Sequence, residues 1–178
     1  MAHRGRSSTH ETEASVAGRP RTDRTVGDYS PLLFPAGGIL AGIAQVLLLD
    51  TPAVEAFLLA FLVIVVGIQG IWAFLGHYFR SDEIAAFIGW PADNPFQKEV
   101  AFGNLAFGVL GILCLWFRGG FWIATAIGIS VFMLGAAIVH VKDIRETQNR
   151  SPGNAGAILW TDVLTSLVLL MLLTLYFL

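Results

Sequence analysis

The chain has 178 residues, a net charge of −2, and 55% apolar residues against only 13% Asp, Glu, Lys or Arg. Soluble domains carry about a quarter charged residues, so this composition excludes an ordinary water-soluble domain. A single cysteine, Cys114, excludes an intrachain disulfide or a thiolate cluster.

Residues 1–30, MAHRGRSSTHETEASVAGRPRTDRTVGDYS, hold five arginines and four acids with almost no large apolar side chains. Such a segment buries too little surface to offset its ordering entropy, so a disordered cytoplasmic tail is predicted. It lacks the apolar core of a signal peptide and is expected to stay on the mature chain. No nucleic-acid partner is expected, because acids dilute the arginines and no aromatics interleave. A topology signal with weak attraction to anionic lipid fits the composition better.

Five apolar runs follow, roughly 31–49, 56–79, 100–117, 121–141 and 155–178. Each approaches the length of about 20 residues, at about 1.5 Å rise, that crosses the hydrocarbon layer. They predict an all-α, polytopic transmembrane helix bundle of five spans over residues 31–178. The lipid bilayer is the expected partner, and a second copy of the chain or another membrane subunit stays open. Lys and Arg concentrate on the cytoplasmic side of membrane proteins. Five spans put ten of the eleven basic residues on the side of the tail and only Arg118 opposite. The amino terminus is therefore predicted to be cytoplasmic and Leu178 to end outside, in a multi-pass protein of the inner cell membrane.

The turns between the runs differ in kind. LDTPAVEA and FRGGFW are short, and the second makes spans three and four antiparallel neighbours. RSDEIAAFIGWPAD predicts a short interfacial helix with Trp90 at headgroup level. Before span three, Asn94 suits an N-cap, Pro95 the first helical position and Gln97 a capping box. Asn154 is a plausible cap for span five.

Polar side chains inside spans are functional candidates by default, and here they gather toward the cytoplasmic end. His77 lies near the end of span two, and Glu99 and Asn104 follow the cap of span three. Reflecting Glu99 through the Gly119–Gly120 turn gives position 140, which is His140, at the same height if the two helices rise equally. His140 and Asp143 share a face of span four as an H-x-x-D unit. Asp162 lies about 10 Å inside the start of span five and is the deepest acid; it is expected to have an intramembrane partner. Gln45 and Gln69 read as interhelical hydrogen bonds, and most glycines read as sites of close helix packing.

If the layer is one site, three carboxylates and two imidazoles favour a cation. Glu99, His140 and Asp162, supported by Asn104, Asp143 and His77, suit either proton relay or a divalent metal. The di-metal pattern of repeated Glu-x-x-His units is absent, so no cofactor is specified. The plainer readings stand beside these: Glu99 snorkelling to headgroups, His77 simply hydrogen-bonded, and His140 with Asp143 as a mutually satisfied pair.

The stretches PFQKEVAFGNLAFGVLG, FMLGAAIVHVKD and SPGNAG followed by TDVL resemble an uncharacterised family of small prokaryotic multi-span proteins, known only as a domain of unknown function. The likeness runs from about Gly67 to Leu178. It implies a set of polar residues matching Glu99, Asn104, His140, Asn154 and Asp162 that act together, and it implies no activity. The sequence thus favours a binding or transport-type membrane protein, more a non-enzyme than an enzyme. A metal-dependent membrane enzyme and a structural or assembly subunit are the alternatives.

Overall fold

The computed structural model describes residues 30–178, so the tail expected over residues 1–30 lies, except for Ser30, outside the described residues. All regular structure there is helical: α1 (Leu33–Leu49), α2 (Ala53–Phe79), α3 (Ser81–Ile88), α4 (Phe96–Leu113), α5 (Gly120–Thr147), α6 (Pro152–Ala155) and α7 (Ala157–Phe177). Four stretches are long and apolar enough to cross a membrane: Ser30–Leu49, Ala53–Phe79, Gly120–Thr147 and Pro152–Phe177.

The third expected span is the exception. Its helix runs Phe96–Leu113, not 100–117. The shift takes Gln97, Lys98 and Glu99 into the first turns and gives the apolar residues 114–117 to the following turn. That leaves α4 more polar than the other four stretches.

The long helix α2 organises the bundle, with α1, α4 and α7 against it and α5 paired with α7. Small residues set the closest approaches. Phe57 lies over Gly42, and Phe61 and Val65 lie over Gly38, which seats α1. On the other side α2 and α4 meet backbone to backbone. A methyl group on Gly70 would stand 2.8 Å from the Asn104 carbonyl oxygen, and one on Gly108 would stand 2.8 Å from the Ile71 nitrogen. Within α2 the stretch Phe61–Ile68 has the wider π-helical turn, and it is there that Gly111 abuts Leu62 and Gly67.

Against α5, α4 is spaced by side chains. Phe107 and Phe132 meet with ring centroids 5.6 Å apart, and the two helices touch far less than α2 and α4 do. The short turn makes α4 and α5 sequence neighbours, but the glycines bind α4 to α2. Gln45 bridges α1 and α2 as expected, its Nε2 donating to the Ala56 carbonyl at 3.3 Å. Gln69 differs: its Oε1 is buried without a hydrogen-bond partner among the described residues.

The core between the layers includes Leu58, Leu62, Val66, Trp122 and Leu169, all fully buried. The Trp122 indole donates to the Cys114 carbonyl at 3.0 Å, which closes the α4–α5 turn. Gly119 at φ 60° supplies the left-handed step of that turn. At the same end Arg118 pairs with Glu55, tying this turn to the first turn of α2. The longer loops, 80–95 and 148–156, lie together at the opposite end, joined by contact between α3 and α6.

Candidate functional site

The long loops hold the densest polar contacts of the described residues, and His140 is at their centre. It lies about two turns from the end of α5 and is only 6% exposed. Its Nδ1 is 2.6 Å from Asn154 Oδ1, and Asn154 is completely buried. The Asn154 amide nitrogen donates to the Asn149 carbonyl at 2.9 Å. That bond fixes which end of the amide is nitrogen, so Oδ1 is the acceptor and the hydrogen lies on His140 Nδ1. Nε2 has no hydrogen-bond partner among the described residues.

Trp90 covers the imidazole, with centroids 5.7 Å apart and planes 19° apart. Its indole donates to Asp143 Oδ2 at 2.9 Å, and Asn149 Nδ2 donates to the same oxygen at 2.7 Å. Thr147 Oγ1 donates to the other oxygen at 2.8 Å. Asn149 also donates to the Ile88 carbonyl at 2.9 Å. One loop amide therefore bridges α5 and the end of α3. Two glycines let these loops close: Gly89, at φ 84°, faces Asn149 and Ser151, and Gly153 lies against Phe87.

A second histidine is held in the same manner. His77 Nδ1 is 2.7 Å from Gln97 Oε1, and Gln97 is buried. Outside the helical bundle Arg80 is spent on Glu83, whose carboxyl that hydrogen bond holds below the usual carboxylate range.

Several sequence expectations need correction. Glu99 and His140 do not share the site: Glu99 is exposed, whereas His140 is buried in the clasp of Trp90 and Asn154. Nor does the structure gather Glu99, His140 and Asp162 around a metal, since no group of three His, Cys, Asp or Glu among the described residues is close enough to hold one. The reason is helix rotation. Glu99 lies nine residues before Gly108, about 180° around the helix, and Gly108 is pressed against α2. Asn104 is turned back on its own helix, with Nδ2 donating to the Val100 carbonyl at 3.0 Å. Asp162 is partly buried on α7, and its carboxylate accepts no hydrogen bond from a described residue; Ser166 bonds only its main-chain oxygen, at 2.7 Å.

The caps divide likewise. Asn94 Oδ1 accepts the Phe96 N–H at 3.0 Å, a local Asx-type bond one residue before the cap position, which the helix start gives to Pro95. Gln97 makes no capping-box bond, because its side chain is committed to His77. Asn154 caps nothing: α7 begins at Ala157 after the Gly156 kink, and the Asn154 amide serves His140. Trp90, expected among headgroups, and Asn149, which no motif marked, complete the clasp. A pair of amides in a polar loop just after an H-x-x-D unit was the available signal for Asn149; nothing local distinguished Trp90.

An all-helical bundle with four stretches apolar enough to cross a bilayer, and buried polar groups gathered at one end, defines a helical bundle of the membrane-protein class. Within that class the chain belongs to the family of unknown function DUF6790, whose model matches residues 28–177. The match reaches further toward the amino terminus than the Gly67–Leu178 likeness. No curated protein matches the chain. No solved structure matches it either.

Proposed function

We propose that this is a multi-pass, transport-type membrane protein in which His140 takes up and releases a proton at the long-loop end of the bundle. One observation carries this reading: buried His140 has Nδ1 committed to a locked, neutral amide and Nε2 uncommitted. A proton arriving at Nε2 makes an imidazolium that keeps both features already in place. Its Nδ1–H still meets Asn154, and the charge lies over the Trp90 face, the arrangement of a cation–π contact. Asp143, engaged by the same Trp90 indole, supplies the opposite charge. His77 and Asp162 are the next groups along a relay into the bundle, in keeping with intramembrane acids and histidines in proton paths.

The expected measurement is proton flux in vesicles holding the purified protein and an internal pH dye. His140→Gln keeps a side-chain N–H for Asn154 but has no titratable group. It should cut flux about 100-fold, within the range for loss of a positioned acid–base group, while the protein stays folded. Unchanged flux in this variant would remove the proposal.

The completeness of hydrogen bonding around Asp143 and Asn149 favours a second reading, a structural clasp that joins α3 to the 148–156 loop. On that reading His140→Gln changes thermal stability alone. A divalent metal at Glu99, His140 and Asp162 has less support, because Glu99 is exposed on the face of α4 turned away from α2.

We also infer that α4 crosses the bilayer as a fifth span, with Ser30 on the cytoplasmic side and Leu178 outside. The Glu55–Arg118 pair supports this, since it neutralises the one basic residue assigned to the outer end. A cysteine placed at Leu178 should react with an impermeant thiol reagent in intact cells. Labelling only after the cells are opened would reverse the orientation.

A further inference from the structure

A groove of about 760 Å³ runs along the outer surface of α5 beside α7. It is independent of the histidine clasp, which faces α3 and α6. Its walls are Leu134, Ile138 and Val141 from α5 and Val163 from α7. At the long-loop end the lining changes to Lys142, Arg145 and Glu146. Leu134, Ile138, Val141 and Arg145 follow i, i+4, i+7, i+11 spacing and form one stripe of the helix. Eleven residues at about 1.5 Å each make that stripe about 16 Å long.

The mouth is electrostatically unbalanced. Lys142 and Arg145 face one carboxylate, Glu146, and the Lys142–Glu146 pair is loose at 3.9 Å. Arg145 makes no ion pair with any described residue. Its guanidinium presents a planar fork of donors, the geometry that matches phosphate oxygens two at a time. Trp160 on α7 is 62% exposed, three residues before Val163. An exposed tryptophan at a helix end marks the headgroup level of a bilayer. The cations therefore stand where phosphates lie, and the apolar walls stand where acyl chains lie.

The geometry points to a specific site for an anionic phospholipid, with its phosphate at Arg145 and Lys142 and an acyl chain along Leu134, Ile138 and Val163. The volume suits a small-molecule ligand, for which sites of about 300–1,000 Å³ are usual. Charge selects the occupant. A zwitterionic lipid brings its own cation to a mouth that already has an excess of positive charge. Basic pockets between membrane helices recognise anionic headgroups on the same ground.

The test uses the full chain in nanodiscs of mixed phosphatidylglycerol and phosphatidylcholine, transferred to mild detergent. Lipid retained by the protein is then counted by native mass spectrometry. Wild type should retain phosphatidylglycerol in preference to phosphatidylcholine. The K142Q/R145Q variant should lose about 30-fold in that preference, the sum of two cation contributions. I138W, which fills the groove and keeps both cations, should lose the bound lipid as well. Inorganic phosphate should not displace the lipid, because it offers nothing to the apolar walls. Equal retention of the two lipids by wild type would overturn the site, and so would unchanged retention in both variants, displacement by phosphate alone, or a dimer that buries the groove.

Discussion

Replacing Gly111 with leucine will strongly destabilise this bundle. A methyl group at Gly111 alone meets the Gly67 nitrogen and comes within 2.5 Å of the Leu62 carbonyl oxygen. Both are main-chain atoms of α2 and cannot turn aside as a side chain can, so the helices must separate. Overpacking a core costs about 1–3 kcal/mol where side chains can adjust. With backbone as the neighbour, more than about 3 kcal/mol is expected, a large part of the 5–15 kcal/mol that holds a typical domain together. Separation would also undo the pairing of Gly70 with Gly108 and draw Gln97 away from His77.

The comparison that isolates the cause is Gly135→Ala. Gly135 is also a helical glycine, but nothing lies within 4 Å of its added methyl group. There the substitution should be neutral or stabilise by about 0.5–1 kcal/mol, the ordinary helix preference of alanine over glycine. Thermal unfolding of the purified proteins in the same detergent reads both effects. A Gly111→Leu protein that melts with wild type would show that α2 and α4 are not in main-chain contact.

The second large effect is expected at Asn154. Asn154→Leu keeps the volume and removes both hydrogen bonds. The buried His140 Nδ1–H loses its acceptor and the half-buried Asn149 loses the donor to its carbonyl. Leaving a buried polar group unsatisfied costs about 1–3 kcal/mol, so the pair should cost about 2–5 kcal/mol. The consequence is local before it is global. The 148–156 loop loosens from α5, Asn149 releases the Ile88 carbonyl, and Trp90 is freed from its place over His140. Faster proteolysis between Ser81 and Asn94 and a red shift in tryptophan emission are the expected readouts. Wild-type protease resistance and emission in Asn154→Leu would show that Asn154 does not hold the clasp.

Asn154 also shows where sequence reasoning stops. Its position after a Ser-Pro-Gly turn and before an apolar run satisfies every local criterion for a cap. The Gly156 kink starts α7 three residues later and turns the amide inward instead. Gln97 follows the same logic: a capping box and a bond to His77 make the same demand on a glutamine, and only the position of α2 decides between them. Asn94 has no such competitor: its side chain stays in the local turn and accepts the Phe96 N–H.

Glu99 is different, since the signal lay in the sequence. The face bearing Asn104, Gly108 and Gly111 was identifiable as the packed one, and Glu99 is about 180° from Gly108. Equal height puts Glu99 and His140 at one level, but the rotation of each helix decides whether the two side chains meet.

Hydropathy alone specified the long apolar helices, because uncharged runs have one stable form in an apolar solvent, where every main-chain group must bond within its own segment. It also determined that polar groups collect near one end, since charge deep in a span is costly. Tertiary structure decided which of those groups meet. Helical periodicity states which residues share a face but not where that face points. Here Gly67, Gly70, Gly108 and Gly111 set the rotation of α2 and α4, while the loops around Trp90, Asn149 and Asn154 closed the site over His140.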